Sequence, residues 1–174
     1  MHFIKDEGFI IRRRNFGDAD RMVTIFSRQN GKISLVAKGV RKITSRRGAF
    51  LEPLNLINFH AVKSHSKHIL TEVELVSSFP ENRGNISNYQ KIFLVCELIE
   101  SLCGENEPIA TLYKRLLEFL YDDKRYSSFL QFKTDLLVTL GYWNPERRFV
   151  SDDESYRYIE SIIERKLKSR AFTL

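Results

Sequence analysis

The residues best suited to chemistry with a ligand are gathered between Lys38 and Arg47, in the stretch KGVRKITSRR. Lys38, Arg41, Lys42, Arg46 and Arg47 are cationic there, and no acid interrupts them. Gly39 allows the backbone to turn where a strand should end. Such a loop suits phosphate: Arg forks two hydrogen bonds onto it and can stack on a base, while Lys acts as a point charge. A charged run is also an ordinary solvated surface, since Lys and Arg favour the outside of proteins. Three features favour binding here: Arg12, Arg13, Arg14 and Arg21 precede the loop, acids are scarce around it, and Arg outnumbers Lys.

Bond-making chemistry finds less support. Asp18 and Asp20 have carboxylates that a magnesium ion would accept, but GDAD reads more simply as a turn supported by Asp side chains. Asp152, Asp153 and Glu154 suit the start of a helix. A phosphate loop ending in GK[ST], a GxSxG element and a cysteine with a nearby histidine are all missing from the sequence. Cys96 and Cys103 lie seven apart, on one helical face, and read as reduced core thiols. A structural zinc needs about four ligands, and His60, His65 and His68 with these cysteines show no such spacing. The expectation is a binding protein without catalysis, metal or cofactor.

Charge is distributed unevenly along the 174 residues, whose net charge is +6. Residues 1–79 hold 14 Lys and Arg against 7 Asp and Glu, and residues 80–174 hold 14 against 15. A polyanionic partner is therefore expected for the first part, nucleic acid being the commonest. No apolar run approaches the length of a membrane span, so a cytoplasmic protein without membrane or small-molecule partners is expected.

The elements that must position the loop are short strands. Gly8–Asn15, Arg21–Ser27, Lys32–Ala37, Leu51–Val62 and Ile69–Val76 alternate or carry β-branched residues, with a hairpin signal at Gln29-Asn30-Gly31. Alternation sets Arg12 and Arg14 opposite Arg13, places Ile33, Leu35 and Ala37 on one face, and groups Thr71, Val73 and Leu75 against Glu72 and Glu74. Pro53 suggests an edge or a bulge. His65 and His68 fall in a polar turn. Phe16 and Phe50, beside basic stretches, read as core more readily than as stacking platforms. Five strands without protected edges predict closure into a small OB-type barrel over residues 1–80, with an SH3-like barrel as the alternative.

Phe79-Pro80 ends the strand pattern, and from Asn85 the period becomes helical. One helix presents Ile86, Tyr89, Phe93, Cys96 and Cys103 inward, widened by Leu94, Val95, Leu98 and Leu102. Pro108 opens a second, with Ile109, Leu112, Leu116, Leu117 and Leu120; a third runs from about Ser128 to Leu140 and stops at Gly141. A capping box at Ser151–Glu154 opens the last, with Tyr156, Ile159, Ile163 and Leu167 inward and Arg165, Lys166, Lys168 and Arg170 at its C-terminal end. The expected fold class is α+β: a five-stranded OB-type barrel (1–80) and a C-terminal α-helical domain (81–174).

The order of motifs adds a resemblance. The GF entry strand, FGDADR, VAKGVRK, the following SR, LEP and TEVEL, all between residues 8 and 80, resemble the N-terminal region of the RecO family of bacterial DNA repair and recombination proteins. ERKLKSRAF near the end is similar to that family's closing segment. The resemblance implies an OB barrel that binds single- and double-stranded DNA and anneals complementary strands. It implies RecR and the single-strand-binding protein SSB as partners in loading a recombinase, at the nucleoid. Lys38, Arg41, Lys42, Arg46 and Arg47 would be the DNA contacts, with Arg12, Arg14 and Arg21 beside them. Against the family pattern, GYWNPERRF stands where many members carry a cysteine cluster, so a short form without the zinc module is expected. An OB-fold RNA-binding protein and a protein-interaction adaptor are the alternatives.

Overall fold

The structure, a computed structural model, describes residues 3–64, 67–80, 86–121 and 129–172. Strands β1 (Phe3–Phe16), β2 (Asp20–Ser27), β3 (Gly31–Ala37), β4 (Leu56–Ser64) and β5 (Lys67–Ser77) close into a barrel in the order β1-β2-β3-β5-β4. The expected five-stranded OB-type closure is therefore present, followed by helices. Neighbouring strands are antiparallel except β3 and β5, which run parallel from Leu35↔His68 to Ala37↔Leu70. Closure leaves no long edge for another chain to pair with. Inward positions such as Ile10, Val23, Ile25, Ile33, Leu35 and Phe59 fill the interior.

Several strand limits differ from expectation. β1 begins at Phe3 rather than Gly8, because its first half pairs with β4, from Phe3↔Val62 to Phe9↔Leu56, and its second half with β2. Polar Lys5, Asp6 and Glu7 hide that first half in the sequence. Asp6 is nevertheless buried, and its Oδ2 accepts hydrogen bonds from Gln29 N at 3.0 Å, Asn30 N at 3.2 Å and Asn30 Nδ2 at 2.7 Å. One carboxylate thus satisfies the β2–β3 turn.

β4 begins at Leu56, not Leu51: Arg47–Leu51 is a short 3-10 helix, and Pro53 lies in the turn that follows instead of in a strand edge or bulge. A bulge does occur in β5, where His60 pairs with Glu72 and Ala61 with Leu70. Thr71 is the extra residue; it is exposed, and its hydroxyl donates to His60 O at 3.1 Å. The bulge shifts the phase, so Leu70 faces the core and Val73 and Leu75 pack against it, without Thr71. His68 lies in β5, paired with Leu35, rather than in a turn; His65 lies outside the described residues.

Two compact units divide the chain: Met1–Pro80 with Gly104–Ile109, and Glu81–Cys103 with Ala110–Leu174. In the first unit, the 104–109 segment meets the start of β3. Asn106 N donates to Lys32 O at 2.9 Å, and the Lys32 ammonium lies 3.7 Å from a Glu105 carboxylate oxygen. Gly31, at φ +67°, allows this approach; a Cβ there would stand 2.2 Å from Glu107 O.

The second unit contains α1 (Ile86–Leu102), α2 (Ala110–Tyr121), α3 (Phe129–Thr139) and α4 (Asp152–Ile163). In α1 the buried face runs through Ile92, Val95, Cys96 and Ile99, while Tyr89 and Phe93, expected inward, are 43% and 48% exposed. Leu94, Val95, Cys96, Leu98, Leu102 and Cys103 are buried as expected. Apolar residues nearly encircle this helix, and the edge that carries Tyr89 and Phe93 is the part of the expected face that packing leaves outside. Cys96 and Cys103 are buried, reduced cysteines outside any disulfide. α2 begins past Pro108 and buries Leu112, Tyr113, Leu116 and Leu120. The expected start of α3 at Ser128 lies outside the described residues; Phe132 and Leu136 are buried as expected, and so is Lys133. At α4, Ser151 Oγ accepts from Glu154 N at 3.2 Å, and Glu154 Oε2 accepts from Val150 N at 2.6 Å. No basic residue lies in the last turn of α4, which corrects the expected dipole pairing. Glu164 turns the chain at φ +54°; beyond it Arg165 pairs with Glu97 of α1, while Lys166 and Arg170 fold back onto Glu160 and Asp153 of α4. None of the helices among the described residues is long and apolar enough to cross a membrane.

Candidate nucleic-acid interface

The basic loop leaves the end of β3 and enters the short 3-10 helix at Arg47. Val40, only 3% exposed, joins the barrel core and pins the loop at its first turn. Gly39 takes φ +68°, a left-handed conformation that glycine adopts without steric cost, and its N–H donates to Asp20 Oδ1 at 2.8 Å. Arg41 N donates to Ala19 O at 2.9 Å, and its guanidinium to Gly17 O at 3.0 Å. The GDAD turn is thus a clasp for the loop, with Asp20 committed to a backbone amide.

Anchoring leaves most of the cations outside. Lys38, Arg41, Lys42 and Arg46 are exposed. Arg47 is half-buried and works as a strap, donating to Lys38 O at 3.1 Å and Thr71 O at 3.4 Å. Lys38, Lys42, Arg46 and Arg47 border one open concavity of about 920 Å³, which Asp18 and Asp20 also reach. In the same concavity the Oγ of Ser45 is buried without a hydrogen-bond partner among the described residues.

Arg21, on β2, sits at the foot of this group and donates to Gly48 O at 3.4 Å. Burial pushes its pKa down, and the neighbouring Arg13 and Arg41 guanidiniums push the same way, with Glu52 opposing. That crowding of like charge is what an anion would relieve. Arg13 is neutralised by an ion pair with Glu52. Arg12 and Arg14, exposed on β1 opposite Thr24 and Met22, do not border the concavity. The structure therefore brings Lys38, Arg41, Lys42, Arg46, Arg47 and Arg21 into one neighbourhood and leaves Arg12 and Arg14 on a strand face.

Phe50 packs against the core, as expected, whereas Phe16 is half-buried with the Lys67 ammonium 4.5 Å from its ring centroid. Sequence reasoning missed three contributors. Val40 is signalled as the lone apolar residue of KGVRK; the pairings of Asp20 with Gly39 and of Glu52 with Arg13 leave no local signal.

Residues 1–79 match the family model described as Recombination protein O N terminal. The DNA repair protein RecO of Acetivibrio thermocellus is 31% identical over 147 residues, which cover 82% of this chain and 59% of that protein. The chain belongs to the RecO family. A second RecO, from Bifidobacterium longum, is 32% identical over 119 residues, covering 67% of this chain and 50% of its own length. For the RecO of Pelotomaculum thermopropionicum the identity is 31% over 120 residues, 69% of this chain and 47% of that protein. The chain thus spans about half the length of the RecO proteins it matches. The RecO N-terminal match ends just after β5, so the barrel strands, the loop and its GDAD clasp all fall within it.

Proposed function

We propose that this RecO relative acts in DNA repair as a DNA-binding recombination mediator. It holds single- and double-stranded DNA by phosphate contacts from Lys38, Arg41, Lys42, Arg46 and Arg47, with Arg21 beneath them and Arg12 and Arg14 extending the positive surface along β1. It anneals complementary strands and helps load a recombinase onto DNA coated with SSB, with RecR and SSB as protein partners, in the cytoplasm at the nucleoid. The observation that carries this reading is an anchored, exposed cationic loop inside the RecO N-terminal match, with no ion pair to an acid from Lys38, Lys42 or Arg46 among the described residues. The names of the relatives supply the setting, DNA repair.

Annealing follows from charge. Two bare strands repel through their phosphates; once cations neutralise part of that charge and leave the base edges free, complementary strands can meet. The test compares wild type with Arg41, Lys42, Arg46 and Arg47 all changed to Ala, in annealing of labelled complementary strands and in binding at several salt concentrations. Rapid annealing by wild type and its loss in the variant is expected. Four lost single-strand contacts should flatten the log–log salt slope by roughly 3. Equal annealing by both proteins would remove the loop from the DNA site.

A further inference from the structure

Ile43 stands near the middle of the cationic loop at 105% relative exposure, so the barrel core does not shelter it. Its position is nonetheless fixed. Ser45 N donates to Lys42 O at 2.9 Å and Lys42 N to Gly39 O at 3.2 Å, closing the turn that carries it. Below the turn, Val40 is held in the core and Arg41 N on Ala19 O at 2.9 Å.

A single exposed apolar side chain is ordinary on a protein surface. The setting of this one is different. A β-branched residue occupies the tip of a tethered turn, between Arg41, Lys42 and Arg46, where turn chemistry favours a polar residue. A loop that needed only charge would gain nothing from it. Cations at such a tip engage phosphates, which position a strand without touching its bases, whereas apolar side chains among them meet the bases themselves. Base faces are available in a single strand and stacked away in a duplex.

We infer that Ile43 is the base-contacting residue of this loop, lying against the face of an unpaired base while Arg41, Lys42 and Arg46 hold the flanking phosphates. The inference rests on the DNA-binding reading of the same loop and adds to it a preference for unpaired strands. Contact with the flat face leaves the pairing edge of the base free, as annealing requires.

The experiment uses the full chain as wild type, Ile43→Ala and Ile43→Phe. Binding is measured to labelled oligothymidine and to a duplex of equal length at several salt concentrations, and to vesicles containing phosphatidylserine. Ile43→Ala should weaken single-strand binding by up to about fivefold, the lower end of what an aromatic ring stacked on one base contributes, with duplex affinity and both salt slopes unchanged. Ile43→Phe should restore or exceed wild-type binding to the single strand. Since the side chain is wholly exposed, neither change disturbs folding. Equal weakening on both DNAs, or none, overturns this inference alone and leaves a phosphate-only loop. Absence of salt-dependent DNA binding by wild type overturns the DNA reading and this inference with it. Vesicle binding lost in Ile43→Ala, with the DNA preference unmoved, also overturns it and makes the residue a membrane contact.

Discussion

Lys133 shows how unequal the two ends of an ion pair can be. Its side chain is 0% exposed, whereas Asp152, which accepts from its ammonium, is 60% exposed. The ammonium also lies 3.6 Å from the Tyr156 ring centroid. Burial pushes the Lys133 pKa down, and Asp152 opposes that shift. Removing the acid strands a buried cation; removing the cation leaves an acid already in water. Asp152→Ala should therefore cost roughly 3 kcal/mol, while Lys133→Met, apolar and of similar length, should cost little or even stabilise. Denaturant unfolding of the two variants checks this, and equal losses would show that the pair acts as a symmetric bridge.

At the scale of elements, the turn after α4 is held by two carboxylates. Glu97 of α1 accepts from Arg165 Nη1 at 2.6 Å, Lys168 N at 3.0 Å, Ser169 N at 2.8 Å and Ser169 Oγ at 2.7 Å. Glu160 accepts from Lys166 Nζ at 2.7 Å and Leu167 N at 3.1 Å. Burial works to raise the Glu97 pKa, but the bonds from Arg165, Ser169 and Lys168 outweigh it and hold the group below its ordinary 4.5. A depressed carboxylate stabilises the fold fully above its unfolded pKa, and this contribution disappears as pH falls through the folded value. Glu97→Gln should thus lower the melting temperature at neutral pH, and the gap from wild type should narrow below about pH 4.5. A gap independent of pH would mean that shape, not charge, secures the segment. The bonds to Glu97 are not legible in the sequence, because Glu97 and Ser169 are brought together only by the fold. What is legible is local: the alternation of β2 and β3, the capping box at Ser151, and the cations of the loop. Lys5-Asp6-Glu7 hides the first half of β1, and the bulge at Thr71 reverses a face that simple alternation assigns. Composition marks the loop as basic but does not distinguish Arg47, spent on backbone carbonyls, from Arg46, left outside.

At the scale of the molecule, the barrel unit is not one continuous stretch, since Gly104–Ile109 belongs to it. Two glycines measure how much that return matters. Gly17, at φ +59°, has open space where a Cβ would stand, with nothing within 4 Å, whereas at Gly31, φ +67°, a Cβ would meet Glu107 O at 2.2 Å. Gly17→Ala should cost only the left-handed strain, about 1–2 kcal/mol, and Gly31→Ala clearly more, as read by denaturant unfolding. Equal costs would mean that the 104–109 segment yields freely. The same discontinuity imposes an order on synthesis. As the chain leaves the ribosome from its N-terminus, all five strands emerge before α1, and Glu105 and Asn106 only after it. A nascent barrel must therefore wait, with Lys32 lacking these two partners, until the first helix of the other unit has been made. Completion of the first unit is in this way tied by the path of the chain to the synthesis of α1.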